Sequence, residues 1–156
     1  MRFGANPAPR RRAEYADLGI STGTAARSVL ADIRERFGDA VADIVRACSD
    51  GLDADGNRSG TWPERKRPYV EGLAMKPADA LLVTAADKTH NGLCIAADVR
   101  RYGQDFWTTF NAGRDELLWY YTSVERAVGQ RLPGYSITAA LQRAVDELVS
   151  EELLHD

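Results

Sequence analysis

From residue 28 to the end of the chain, apolar residues recur at intervals of three and four, the spacing that places them on one face of an α-helix. Segments such as RDELLWYYTSVERAVGQRL and SITAALQRAVDELVSEELL follow this spacing, and no segment shows the alternation that is typical of a strand. The pattern therefore predicts an all-α protein, a helical bundle. A chain of 156 residues is long enough to form one such domain around a real core.

The first part of the chain differs from the rest. Residues 1–27 have weak periodicity, several turn-forming residues, and arginines at positions 2 and 10–12. This composition predicts a flexible basic N-terminal arm over residues 1–27 and a helical domain over residues 28–153.

Residues that begin and end helices divide the predicted domain. Ser28 is expected to cap a short helix that ends at Gly38 and buries Val29, Leu30, Ile33 and Phe37. Pro77 is expected to open a long helix that runs to about residue 102.

Charge and cysteine content limit the possible partners. The net charge of −3 implies no general affinity for nucleic acid or for an anionic membrane. No apolar run approaches the roughly 18 residues that a membrane-spanning helix requires. Cys48 and Cys94 lie far apart in helical patterns, so we expect two buried thiols and no disulfide. These features favour a cytoplasmic location.

The stretch TAADKTHN, residues 84–91, places polar groups inside an apolar segment. Asp87 and Asn91 are four residues apart and therefore share one helix face, with His90 beside them. One interpretation is a solvated face. The other is a site for a cation or nucleotide, because a carboxylate on a largely buried helix needs a partner.

A polar loop offers a second candidate metal site. Five side chains occupy positions 1, 3, 5, 7 and 12 of a calcium-loop pattern, namely Asp53, Asp55, Asn57, Ser59 and Glu64. Position 6, which requires glycine for its sharp turn, is Arg58. A solvated turn is therefore favoured over a calcium site.

Four stretches, in one order, resemble a known family: LADIRERFGDAVADIVRACSD, WPERKRPYVEGL, LLVTAADKTHNGLCIAADVRRYG and FNAGRDELLWYY. They are similar to the bacterial HD-domain phosphohydrolases, in the branch of the guanosine tetraphosphate hydrolases. The resemblance extends from about residue 28 to about residue 147. It implies an incomplete HD domain and a nucleotide pyrophosphohydrolase ancestry.

The resemblance also implies roles for individual residues. In the family a helical bundle holds one divalent ion, usually Mn²⁺, which activates water to attack a phosphate ester. Asp87 matches the distant aspartate ligand of that ion, and Asn91 matches an asparagine that helps to bind the nucleotide. Lys88 lies beside them, and Arg65 and Lys66 match a basic pair that faces either the phosphates or the solvent.

The chain departs from the family pattern upstream of these motifs. The family's first histidine, its His-Asp pair and its general acid belong in that region, yet residues 1–27 contain no histidine. Three of the four metal ligands are therefore missing, and we expect a catalytically silent chain. Such a chain would be either the product of an incomplete reading frame or a true remnant.

Two alternatives remain. In the first alternative, the chain is a non-enzymatic interaction module or self-associates. The missing helices would leave apolar surface uncovered on Leu81, Leu82, Val83 and the helix at residues 40–48. Otherwise an assembly with another chain completes the ligand set, with the terminal pair His155 and Asp156 taking part.

Overall fold

The computed structural model describes residues 24–49 and 60–154, and these residues form six α-helices and no strand. The helices are α1 (Thr24–Phe37), α2 (Asp39–Cys48), α3 (Trp62–Gly72), α4 (Ala78–Tyr102), α5 (Arg114–Arg131) and α6 (Ser136–Leu154). Short 3-10 segments, Leu73–Met75 and Gln104–Thr109, follow α3 and α4. The predicted all-α class is confirmed.

The 25-residue helix α4 is the centre of the bundle. It packs most extensively against α6, and it also contacts α2 and α5. Its core side carries residues that are completely or almost completely buried, among them Leu81, Ile95 and Val99. The expectation that Leu81 is uncovered is therefore wrong. Gly92 lies on the same side, where an added Cβ would be 3.4 Å from Cε1 of Tyr121. A Cβ at this position would therefore be in ordinary van der Waals contact with the Tyr121 ring, with no room for a larger side chain.

Helix α3 begins with a capping box that the local sequence specifies. Glu64 Oε2 accepts hydrogen bonds from the Thr61 backbone N–H at 2.6 Å and from the Thr61 hydroxyl at 2.9 Å. Pro63 occupies the first turn, where its missing N–H costs nothing. The helix continues through Pro68 to Gly72 and packs on α5.

Two basic side chains connect the ends of different helices through hydrogen bonds. Arg131, at the end of α5, donates to the carbonyl of Ala74 and, at 3.2 Å, to the carbonyl of Lys76. Lys76 in turn donates from Nζ to the carbonyl of Ala47 in α2. These bonds satisfy carbonyl groups near helix ends that have no partner within their own helix.

The beginning of the domain differs from the prediction. Helix α1 starts at Thr24, inside the predicted arm, and Ser28 is within it. Val29 and Phe37 are 39% and 65% exposed, so the expectation that both are buried is wrong. The reason is that α1 packs mainly on α2, which leaves the rest of its circumference open. Residues 1–23 lie outside the described part of the chain, and the basic arm stays a prediction there.

The long-helix prediction is confirmed, because α4 has Pro77 as its N-cap and ends at Tyr102. Cys48 and Cys94 are free thiols, as predicted, but both are half-buried, so the expectation that they are buried is wrong. None of the described helices has both the length and the apolar character that crossing a membrane requires.

The contact between Gly92 and Tyr121 leads to a stability prediction. Gly92→Ala should raise the free energy of unfolding by about 0.5–1 kcal/mol, because alanine favours a helix interior and its Cβ would make ordinary van der Waals contacts. Urea denaturation monitored by circular dichroism measures the change. Gly129→Ala in α5 is the matched control, since the nearest atom to the added Cβ would be 3.8 Å away.

A larger side chain at the same position should have the opposite effect. Gly92→Leu should lower the free energy of unfolding by about 1–3 kcal/mol, because the added atoms would overlap Tyr121 and Ala144. A Gly92→Leu variant as stable as the native chain would contradict this account of the α4 packing.

Candidate functional site

Asp87, Lys88 and Asn91 form one hydrogen-bonded network on α4. Lys88 Nζ lies 2.7 Å from Asp87 Oδ2, and Asn91 Nδ2 donates to Asp87 Oδ1 at 3.0 Å. The side chain of Asp87 is 38% exposed, whereas that of Lys88 is only 12% exposed. Asp87 thus lies at the edge of the bundle and directs both of its oxygens to neighbours on its own helix.

Lys88 remains a cation in this environment. Burial by itself would lower the pKa of Lys88, but the negative charges that Tyr120, Tyr121 and Asp87 carry when ionised outweigh burial and raise it well above 10.5. The hydrogen bond to Asp87 acts in the same direction. Lys88 therefore supplies a fixed positive charge at every physiological pH.

A second ammonium group lies close to the first. Lys66 Nζ is 4.8 Å from the ring centroid of Tyr120, and Lys88 Nζ is 5.6 Å from the same centroid. Both distances are in the range of a cation–π interaction, which offsets part of the cost of burying a charge. Lys66 is 4% exposed, and its ammonium group also lies 5.7 Å from the centroid of Tyr69.

Aromatic rings complete what we call the lysine–aromatic cluster: Lys66, Lys88, Trp62, Tyr69 and Tyr120. Trp62 meets Tyr120 edge to face at 5.7 Å between ring centroids, and Tyr69 lies at 6.3 Å. The contact between the aromatic residues of α5 and the two lysines was not predicted from the sequence. The three-residue interval from Lys66 to Tyr69 was the available signal, because such residues are neighbours on a helix.

The two residues of the predicted basic pair point to different sides of α3. Arg65 and Lys66 are adjacent, and adjacent helical residues point about 100° apart. Lys66 enters the lysine–aromatic cluster, whereas Arg65 is half-buried on another side of the helix. With so little exposed surface, Lys66 would act on a bound anion through its charge rather than by direct contact.

The described residues do not fit the divalent metal that the resemblance implies. Both oxygens of Asp87 already accept bonds, from an ammonium and from an amide group. His90 is exposed, with Nδ1 at 3.4 Å from Asn91 Oδ1 and Nε2 at 3.8 Å from Cys94 Sγ. Within residues 24–49 and 60–154, no three His, Cys, Asp or Glu side chains come together in a way that could hold a metal ion. The terminal pair His155 and Asp156 lies outside the described residues.

The calcium-loop pattern also falls largely outside the described residues. Its last position, Glu64, lies within them and takes part in the capping box of α3. The hydrogen bonds from Thr61 hold the pKa of this carboxyl below its usual value. The Glu64 carboxylate therefore has a structural role at the start of a helix.

The arrangement of helices has a counterpart among solved structures. The crystal structure of lmo0812 from Listeria monocytogenes EGD-e matches with a TM-score of 0.64 and 25% sequence identity, over 78% of this chain and 77% of that one. No protein-family model and no curated protein matches the chain. Similarity to known proteins therefore supports the fold.

The raised pKa of Lys88 can be measured directly. In a titration followed by NMR of the lysine Cε–Hε groups, Lys88 should keep its proton to a higher pH than a lysine with the ordinary value of about 10.5. Because the folded-state pKa is raised, this group stabilises the fold fully below its unfolded pKa. That stabilisation is lost as the pH rises through the folded-state pKa.

Asp87→Asn tests the contribution of the ion pair to this shift, which adds to those of Tyr120 and Tyr121. It removes a negative charge beside the ammonium and should bring the pKa of Lys88 closer to the ordinary value. An identical titration of Lys88 in both proteins would show that the ion pair does not raise the pKa of Lys88.

Proposed function

We propose that this chain is a catalytically silent relative of the HD-domain phosphohydrolases that binds a phosphorylated guanine nucleotide of the guanosine tetraphosphate type. The proposal combines the four ordered stretches that resemble the family with the geometry around α4. Binding would take place at the edge of the bundle, where Asp87, Lys88 and Asn91 meet the solvent.

The observation that carries the proposal is the state of Asp87. In a metal-dependent hydrolase this carboxylate would direct a free oxygen toward the ion. Here Lys88 holds one oxygen at 2.7 Å and Asn91 holds the other at 3.0 Å. An ammonium group in this place repels a divalent cation and attracts an anion. The network therefore favours an anionic ligand without a metal.

The surrounding charges support the same ligand class. The ammonium groups of Lys66 and Lys88 are both near the Tyr120 ring, and that of Lys76 lies 3.7 Å from the centroid of Tyr69. Phosphate oxygens form short, strong hydrogen bonds with ammonium groups. An incoming phosphate would compete with Asp87 for Lys88, and the Asn91 amide would be released to contact the ligand.

This competition predicts an unusual response to mutation. Asp87→Asn should tighten binding of guanosine tetraphosphate several-fold, because it removes a repelling carboxylate and frees Lys88. Lys88→Met should weaken binding at least tenfold, equivalent to about 1.4 kcal/mol. Isothermal titration calorimetry in the presence of a metal chelator measures both changes.

Two controls separate binding at this site from general attraction. Arg143→Gln removes one exposed positive charge on α6, a helix that contributes no residue to the proposed site, and should leave the affinity unchanged. Guanosine, which has no phosphate, should bind much more weakly than guanosine tetraphosphate. Loss of binding in Asp87→Asn, or dependence of binding on Mn²⁺, would contradict the proposal and favour the metal-dependent arrangement.

The absence of catalysis is tested separately. Pyrophosphate release from guanosine tetraphosphate with Mn²⁺ should stay at the uncatalysed rate for the native chain and for Asp87→Ala, because a single carboxylate does not hold the ion in a preorganised site. Release by the native chain that disappears in Asp87→Ala would show that other residues complete a metal site.

A further inference from the structure

The side of α4 that faces away from the core carries a regular stripe of apolar residues interrupted by one histidine. We call it the α4 stripe: Val83, Ala86, His90, Leu93 and Ala97, all of which are exposed. Val83 and Leu93 are 46% and 41% exposed, although both are large hydrophobic residues. The successive intervals along the stripe are 3, 4, 3 and 4 residues. This alternation is the repeat of a helix that packs against another helix.

The repeat matters because an α-helix has 3.6 residues per turn. Positions separated alternately by three and four residues drift slowly around the helix axis. Two such stripes stay in contact only when the two helices coil slightly around each other. The core side of α4 already packs on α2, α5 and α6. The α4 stripe lies on the opposite side of the helix and is exposed.

We propose that the α4 stripe is the interface of a homodimer in which α4 packs antiparallel on α4 of a second copy of this chain. A two-fold axis through His90 would place Val83 opposite Ala97 and would bring Ala86 near Leu93, one residue out of register. Each large side chain thus faces a small one, and such pairs let helix axes approach to about 8–10 Å. A closed two-fold interface requires this kind of self-complementarity.

The charges at the two ends of the stripe specify the direction of the partner. Asp79 is exposed one turn before Val83, and Arg100 and Arg101 are exposed one turn after Ala97. An antiparallel pair brings the acidic end of each helix to the basic end of the other. A parallel pair would place Asp79 against Asp79 and arginine against arginine, which costs energy and disfavours that arrangement. Arg100 also pairs with Glu147 of its own chain, so Arg101 is the freer of the two to turn toward the partner.

The length of the α4 stripe determines how strongly the two chains are expected to associate. From residue 79 to residue 101 the helix covers about 33 Å, and one helix pair of this length buries about 1,200 Å² or less in total. Interfaces of that size are weak, so the monomer and the dimer should exchange, with a dissociation constant of about micromolar or above. Dimer formation by this route requires no ligand and no metal.

Sedimentation velocity of the full chain over a hundredfold range of concentration tests the interface. The native protein should shift from monomer to dimer, and Leu93→Glu should weaken association at least tenfold. Met75→Glu is the matched control, because Met75 is 87% exposed but lies outside the stripe, and it should associate as the native chain does. A native chain that remains monomeric, or a Leu93→Glu chain that dimerises normally, overturns the proposal.

Cysteine cross-linking tests the direction, in a Cys48→Ser, Cys94→Ser background. Val83→Cys and Ala97→Cys proteins, mixed and oxidised, should give disulfide-linked dimers that neither protein gives alone. Ala139→Cys, exposed on α6, replaces either partner as the control and should give no such product. Cross-linking of Val83→Cys with itself would establish a parallel pair and overturn the antiparallel arrangement.

Discussion

The burial of one side of α4 is the constraint on which the rest of the bundle depends. A 25-residue helix has to place its apolar face against α2, α5 and α6 at once, and each of these elements contributes residues to that contact. Small residues make this close packing possible, because Ala85, Gly92 and Ala96 let side chains from the neighbouring helices reach the α4 backbone. These contacts fix the rotation of α4 about its own axis. That rotation determines which of its polar residues meet the solvent, including Asp87 and Asn91.

The same packing explains why the polar network has its present form. Lys88 points toward the aromatic side chains of α5 and is largely withdrawn from water, so it needs compensation from nearby negative charge and π-electrons. Asp87 and Tyr120 provide that compensation. The aspartate is therefore engaged in stabilising a buried cation, and its oxygens are unsuited to holding a metal ion at the same time. The contact that stabilises the buried ammonium group therefore also occupies the oxygens of Asp87.

Helix α4 has different roles on its different sides. The core side organises the bundle, the edge with Asp87 and Asn91 carries the proposed ligand site, and the outward side carries the α4 stripe. Residues of the proposed ligand site and of the α4 stripe alternate along the helix, since Asp87 follows Ala86 and Asn91 follows His90. A ligand at Asp87 and a second chain on the stripe would therefore be neighbours. The resemblance to lmo0812 concerns the arrangement of the helices that makes these surfaces possible.

The sequence by itself determined the helical class and the bounds of the long helix α4. The bounds at Pro77 and Tyr102 follow from hydrogen bonds, caps and proline positions that involve residues close together in the chain. It also determined that Asp87 and Asn91 share a helix face. Only the tertiary structure decided that Lys66 and Lys88 meet at Tyr120, that Leu81 is buried and that Phe37 is exposed. Each of these outcomes depends on which helices face one another, and a pattern with helical periodicity identifies an apolar face without identifying its partner.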